Sequence, residues 1–412
     1  MFAIASAALL VIAFTATAAL AAEYATWRDI ADEMGEVLSG AYELYASGDP
    51  DAAKDEINVA YYQYYEKLGF EKQVNSLISG NRAATVELQF SFAKSAINSG
   101  ASQGEVKAML DELAQFLRED ADALDGKGGG GEDSGATANE GGAVVFVESL
   151  LIITREGFEA ILIVGAIIAY LVKSGNGDKV GAVYRGSIIA LAASVAMAFI
   201  LNAVTSASGG KNQEIIEGVT MLIAVVVLFY VSNWMVSKAE SAAWTSYIEG
   251  KVQSSITAGS VFSLAFAAFL AVFREGAETI LFYQALLADT NAHINMVWLG
   301  LGVGAVGLVV IYLIIRFMSV KLPLKPFFIG TSILMFLMSV TFIGSGIKEL
   351  SEGDLFYLTP VQGVATIDIL GIYPALETLI PQAVLLAAAV VTFVIQTGKW
   401  RKAREARDPQ GE

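Results

Sequence analysis

The chain has 412 residues, with 42 Asp+Glu against 26 Lys+Arg, 55% hydrophobic residues and only 17% charged ones, where a soluble domain averages about 25% charged. The absence of cysteine excludes disulfides, thiolate zinc sites, iron–sulfur clusters and cysteine nucleophiles, and a single histidine, His293, excludes imidazole-rich metal sites. Residues 23–142 hold 23 acidic and 9 basic side chains and residues 143–412 hold 19 and 17, so an acidic domain precedes a nearly neutral apolar one, and nucleic acid is not an expected partner.

Residues 1–22 are apolar and close on Ala19-Leu20-Ala21, the small-x-small pattern of a signal-peptidase site. The segment carries no Lys or Arg, so an uncleaved anchor is the alternative. Either way the next domain lies outside the cytoplasm. Residues 23–125 read as an extracytoplasmic helical bundle, because apolar positions recur every three or four residues. The expected helices are 24–47, 51–67, 70–99 and 103–125, with Gly48-Asp49-Pro50 as a stop and Ser102 with Glu105 as a capping box. Residues 126–142, rich in glycine, read as a flexible linker.

From Ala143 onward, apolar runs long enough to cross a bilayer predict seven spans: 143–172, 184–205, 214–237, 257–287, 296–318, 327–346 and 377–396. With the amino-terminal domain outside, the inner segments hold thirteen basic residues, from Lys173 to Arg407, and the outer loops hold Lys211 and Lys348. That asymmetry follows the positive-inside rule. The basic tail 399–412 is then cytoplasmic, and the chain is a multi-pass protein of the cytoplasmic membrane. Gly300, Gly302, Gly304 and Gly307 mark the fifth span as a close-packing face.

Two spans contain nearly the same charged string, Arg155-Glu156-Gly157-Phe158-Glu159 in the first and Arg274-Glu275-Gly276-Ala277-Glu278 in the fourth, 119 residues apart. Three crossings separate the copies, so they run in opposite directions, as in an inverted three-helix repeat. In each copy the glutamates are three residues apart and share one helix face. Gly157 and Gly276 leave room there for another backbone or an ion. A charge at the bilayer centre costs at least about 2.5 kcal/mol, so these six must face each other, water or a ligand. Two glutamates per arginine leave acid in surplus, which suits a cation and argues against a pair of structural staples. A third pair, Glu214 and Glu217, opens the third span, where the helix dipole alone also favours acids. Glu148 lies two turns before Glu156. Lys348, Glu349, Glu352 and Asp354 read as a solvated outer loop, in which an acid such as Glu349 is the further candidate for receiving substrate.

The paired Arg-Glu-Gly-x-Glu strings, with Glu214 to Met235 and Gly344-Ser345-Gly346-Ile347-Lys348-Glu349-Leu350, resemble the high-affinity iron permease family over roughly residues 143–398. The amino-terminal region is similar to the helical extracytoplasmic domain fused to some bacterial members. The resemblance implies an all-α membrane protein that is a permease and not an enzyme, with iron as its substrate and no cofactor. It implies that Glu156, Glu159, Glu275 and Glu278 bind iron in passage while Arg155 and Arg274 tune or gate the site. It also implies an extracytoplasmic partner, an oxidase, a peroxidase or an iron-binding protein. Carboxylate oxygens suit a hard cation, which favours the ferric ion. Where the family string has Leu, this chain has Phe158 and Ala277, beside the expected ligands. The tyrosines Tyr61, Tyr62, Tyr64 and Tyr65 beside Glu66, with Arg82 and Glu87 elsewhere in the domain, read first as core filling and second as a ferric capture site. Two other functions fit the acidic repeat, a proton-coupled exchanger for another hard divalent cation and an iron-binding sensor that moves nothing.

Overall fold

The computed structural model describes residues 24–126, 134–173, 175–238, 261–289, 293–318 and 324–407. The expected signal segment lies outside them. Among the described residues every regular element is a helix, and β-type pairing is confined to one isolated bridge, Pro360 with Ala375. The chain divides into two units, the first comprising 1–142, 350–369 and 373–377 and the second 143–349, 370–372 and 378–412.

In the first unit the helices are α1 (Trp27–Ala46), α2 (Pro50–Val59), α3 (Phe70–Leu77), α4 (Gly80–Asn98) and α5 (Gln103–Leu124). A π-helical turn, Ala60–Glu66, continues α2. The expected capping box forms at the start of α5, where the Ser102 hydroxyl accepts from Glu105 N, and a second, unexpected one forms at the start of α1, where the Thr26 hydroxyl accepts from Asp29 N. The Asp125 carboxylate, at the end of α5, accepts from Trp27 N and Arg28 N and closes the first turn of α1 from a distant part of the chain. Met34, Leu38, Ile57, Tyr65, Phe70, Phe90 and Leu113 fill the core.

The structure corrects the expected helix 70–99, which is broken at Ile78 and Ser79. Ser79 is extended, and its hydroxyl caps α4 by accepting from Arg82 N, a Ser-Gly start that apolar spacing alone overlooks. Tyr61 and Tyr65 stack within the core, against Phe90, as core-filling tyrosines should. Residues 127–133 of the expected linker lie outside the described residues, and the next helix begins at Ser134. The long apolar segment after it supplies the cooperativity that carries a helix back through weak formers.

The second unit contains α6 (Ser134–Lys173), α7 (Val180–Ser208), α8 (Lys211–Lys238), α9 (Val261–Asp289), α10 (Ile294–Met318), α11 (Leu324–Glu352) and α12 (Leu376–Arg407), several of them running past the unit's bounds. Among the described residues four stretches are long and apolar enough to cross a membrane, Gly177–Ala203, Lys211–Ser232, Ile294–Ile314 and Ile329–Glu352. The other three expected spans fall on α6, α9 and α12. In α6 and α9 the Arg-Glu-Gly-x-Glu strings interrupt the apolar run, and α12 has a shorter apolar stretch, Leu376–Thr392. Ile188, Ile189, Val195 and Phe199 of α7 and Val303, Val306 and Val309 of α10 point outward. Apolar side chains exposed in such numbers along one helix are what a lipid-facing surface presents.

Glycines set the helix packing of this unit. A Cβ on Gly157 of α6 would meet Leu308 of α10, and one on Gly276 of α9 would meet Ser194 of α7. A Cβ on Gly300 of α10 would lie 2.6 Å from the Phe146 carbonyl of α6, and one on Gly186 of α7 would run into the Ala265 carbonyl of α9. The two sets of contacts correspond. Their α6 and α9 members differ by 119 residues (157 and 276, 146 and 265), and their α7 and α10 members by 114 (194 and 308, 186 and 300). Each motif helix therefore lies against the helix that follows the other motif. Gly304 also faces α6, at Ile153 and Leu150, whereas a Cβ on Gly302 or Gly307 would meet nothing within 4 Å among the described residues.

Candidate metal centre

Arg155, Glu156, Glu159 and Glu275 are all buried. An Arg-Glu-Gly-x-Glu string on a helix places its arginine and second glutamate four apart, one turn from each other on a single face. Accordingly Arg155 Nη2 lies 3.0 Å from Glu159 Oε1, and Arg274 Nε lies 2.9 Å from Glu278 Oε1. Arg155 Nη1 also contacts Glu156 Oε1 directly. Buried charges persist only when paired or ligated, and these pairs leave acid in excess.

The two strings come together across α6 and α9. Glu156, Glu275 and Glu278 each present a carboxylate oxygen within 4.8 Å of the others. Among the described residues, Glu156 Oε2 and Glu275 Oε2 are buried without a hydrogen-bond partner. Three converging carboxylates, two with an unsatisfied buried oxygen, form an oxygen-donor set for a hard cation. Glu159 is buried as well but is not in the triad; its neighbour is Arg155. The glycines between the glutamates admit the neighbouring helices, through Leu308 at Gly157 and Ser194 at Gly276.

A second triad lies elsewhere in this unit. Glu214 and Glu217, at the start of α8, bring carboxylate oxygens within 4.8 Å of one on Glu349, near the end of α11. Lys348 Nζ stands 3.2 Å from Glu349 Oε1. The segment from Lys348 to Glu352 is therefore not the solvated loop its polar sequence suggests. It is the last turn of α11, with Lys348, Glu349 and Glu352 buried. Glu148 is half-buried and belongs to neither triad.

Sequence spacing gives no sign of the tie between the motif helices. The Tyr283 hydroxyl of α9 donates to the Ser149 carbonyl of α6 at 2.8 Å, and the Ser149 hydroxyl donates to the Val297 carbonyl of α10 at 2.6 Å. All three groups are buried, so the bonds form in a medium that strengthens them.

The chain matches the profile of the Iron permease FTR1 family over residues 41–265 and 249–356. It is 28% identical over 253 residues to the iron permease EfeU of Bacillus subtilis, which covers 61% of this chain and 52% of that protein. The chain thus spans about half the length of that relative. It is 32% identical over 212 residues to the ferrous iron permease EfeU of Yersinia pestis, 50% of this chain and 72% of that one. With the ferrous iron permease EfeU of Escherichia coli O6:H1 it shares 31% identity over 210 residues, 50% and 74% of the two chains. No solved structure matches.

Proposed function

Because the chain belongs to the Iron permease FTR1 family, we propose that it carries iron across the cytoplasmic membrane through the carboxylate site shared by α6 and α9. The observation that carries this reading is the convergence of Glu156, Glu275 and Glu278 from two strings 119 residues apart in sequence. Iron dehydrates onto these oxygens and leaves on the opposite side when the site reopens. Glu214, Glu217 and Glu349 form an acidic station on the same path.

In this reading the membrane part has seven spans built on an inverted repeat. The corresponding contacts Gly157–Leu308 and Gly276–Ser194, and Gly300–Phe146 and Gly186–Ala265, support it, because two copies related by a pseudo-twofold axis make each such contact twice. The distribution of basic residues supports an outer amino-terminal domain and an inner carboxy-terminal tail. An oxidase, a peroxidase or an iron-binding protein outside the membrane supplies the iron.

Oxygen donors alone favour the harder ferric ion, while two relatives bear names that say ferrous. Uptake of radioactive iron into vesicles holding the full chain, from anoxic ferrous solution and from ferric citrate, decides the species. Iron accumulates inside vesicles with the wild-type chain, and Glu156→Gln or Glu275→Gln abolishes accumulation. Wild-type protein that binds iron but accumulates none sinks the transport reading. Manganese or calcium uptake indifferent to excess iron sinks the iron reading.

A further inference from the structure

The two motif copies hold their arginines in different surroundings. The side chain of Arg274 is 43% exposed and holds Glu278 at 2.9 Å, standing 3.9 Å from Glu275. Arg155 is 1% exposed and lies between two carboxylates, Nη1 on Glu156 and Nη2 3.0 Å from Glu159. Among the described residues its Nε and Nη2 have no hydrogen-bond partner, the approach of Nη2 to Glu159 being an ion pair. Glu159, the counterpart of Glu278, is the one motif glutamate outside the triad.

Taking Glu156, Glu275 and Glu278 as the cargo site, we infer that Arg155 is a resident counter-ion that competes with the cation for Glu156, and that Glu159 holds Arg155 while the cation is bound. Glu159 is then a positioning residue and not a ligand. A guanidinium presents a planar fork of five donors, so Arg155 engages two carboxylates at once. When a cation takes Glu156, a buried arginine cannot be left without an anion. Glu159, one helical turn along and 3.0 Å from Nη2, is the seat that remains. Arg274, with 43% of its side chain exposed, is not enclosed in this way.

The arrangement answers a difficulty of release. Three converging carboxylates, two of them buried, with nothing between them would hold a polyvalent cation too tightly to pass it on, and conduction requires binding weak enough to leave. A tethered cation that returns to Glu156 lowers the affinity and refills the site as the cargo departs.

The experiment is calorimetric binding of anoxic ferrous iron to the full chain in lipid nanodiscs, with uptake measured in vesicles. Arg155→Gln binds iron at least tenfold more tightly and turns over more slowly. Glu159→Gln, which leaves Arg155 only Glu156 to hold, binds at least tenfold more weakly. The double variant Arg155→Gln/Glu159→Gln recovers tight binding, because the triad is intact and its competitor gone. If Glu159 is a ligand, the double variant binds as weakly as Glu159→Gln, and the inference is overturned. Should Arg155→Gln alone fail to fold, the double variant against Glu159→Gln still decides. Glu275→Gln separates the two claims. Its loss of binding, with no recovery in the double variant, removes only the role of Glu159, whereas wild-type binding by Glu275→Gln removes the triad itself.

Discussion

Gly276 of α9 packs directly on Ser194 of α7, so closely that a Cβ on the glycine would overlap the serine hydroxyl and lie 2.8 Å from its Cβ. Ser194 is short and already bonded, its hydroxyl donating to the Ala190 carbonyl at 3.0 Å, so it cannot swing aside as a long side chain would. Gly276→Ala therefore pushes α7 away from the helix that carries Glu275 and Glu278. The expected cost is about 1–3 kcal/mol, with loss of uptake. Ser194→Gly removes both opposing atoms and should restore much of the uptake of Gly276→Ala. Gly157→Ala meets the flexible end of Leu308 and should be milder. Gly165→Ala, with open space around it, should be neutral or stabilising. Thermal unfolding and iron uptake of the four variants test this order, and a harmless Gly276→Ala would defeat it.

In the first unit Asp120 is buried beside Arg82, 2.7 Å from its Nε. Burial nevertheless outweighs the pull of the guanidinium and raises the Asp120 carboxyl to about 6. A carboxyl raised on folding favours the folded state while it is protonated. Its contribution is complete below about pH 4 and is lost as pH rises through about 6, a swing of roughly 3 kcal/mol at most. Hydrogen exchange of α4 and α5 in the full chain should accordingly slow as pH falls from 7 to 5, once the intrinsic pH dependence is removed. Asp120→Asn, which keeps the shape without the titration, should flatten this slope. An equal slope in the variant would assign it to other groups. The acids Asp32 and Glu105, held low by hydrogen bonds from Arg118, Arg28 and Ser102, act in the opposite sense and below this window.

The features legible in the sequence were those carried by local chemistry. The capping box at Ser102 and the duplicated strings on α6 and α9 stand where spacing put them. What spacing leaves out is the choice of neighbour. Nothing local distinguishes Glu159 from Glu278, yet one faces Arg155 and the other joins the triad. Gly300 and Gly304, four residues apart, share the face that meets α6, and the 3.6-residue period turns Gly302 away from it; the same period puts Gly307 on the face of Gly300, so spacing alone does not say which glycines pack. The polar run Lys348 to Glu352 looks like a loop until the long-range partners Glu214 and Glu217 are known.

Lys94 is 2% exposed, and its ammonium lies 2.6 Å from Asp354 Oδ1. Asn58 ties the same pair, accepting from Lys94 at 3.0 Å and donating to Asp354 at 2.7 Å. Asp354 adopts a positive φ of 56°, a conformation that Asp and Asn tolerate better than other side chains. Lys94→Met, which removes the cation beside a buried carboxylate, should destabilise the first unit by about 3–5 kcal/mol. Lys94→Met/Asp354→Asn removes both charges, retains the backbone preference and should recover most of that loss. Limited proteolysis of the full chain reads the difference, and a double variant no better than Lys94→Met would show that the charge pair is not what matters.

If the triad of Glu214, Glu217 and Glu349 is a station on the iron path, it acts on capture more than on passage. The carboxylate oxygens of its members approach within 4.8 Å of one another, and Lys348 lies 3.2 Å from Glu349. This repeats the theme of acids with a basic side chain alongside. Removing one acid lowers the local concentration of cations but leaves Glu156, Glu275 and Glu278 to accept those that arrive. Glu214→Gln and Glu349→Gln should therefore raise the KM for iron uptake several-fold with the maximal rate largely kept, whereas Glu156→Gln removes the rate at every concentration. Glu217 receives a hydrogen bond from Gln213 at 3.0 Å, so Glu217→Gln should have the smallest effect of the substitutions in this triad. Adding salt should narrow the difference between wild type and Glu214→Gln, since attraction between separated charges is screened within about 10 Å at 0.1 M ionic strength. Uptake measured against iron concentration at two ionic strengths tests both expectations. An unchanged KM in both Glu214→Gln and Glu349→Gln would leave this triad a structural tie between α8 and α11.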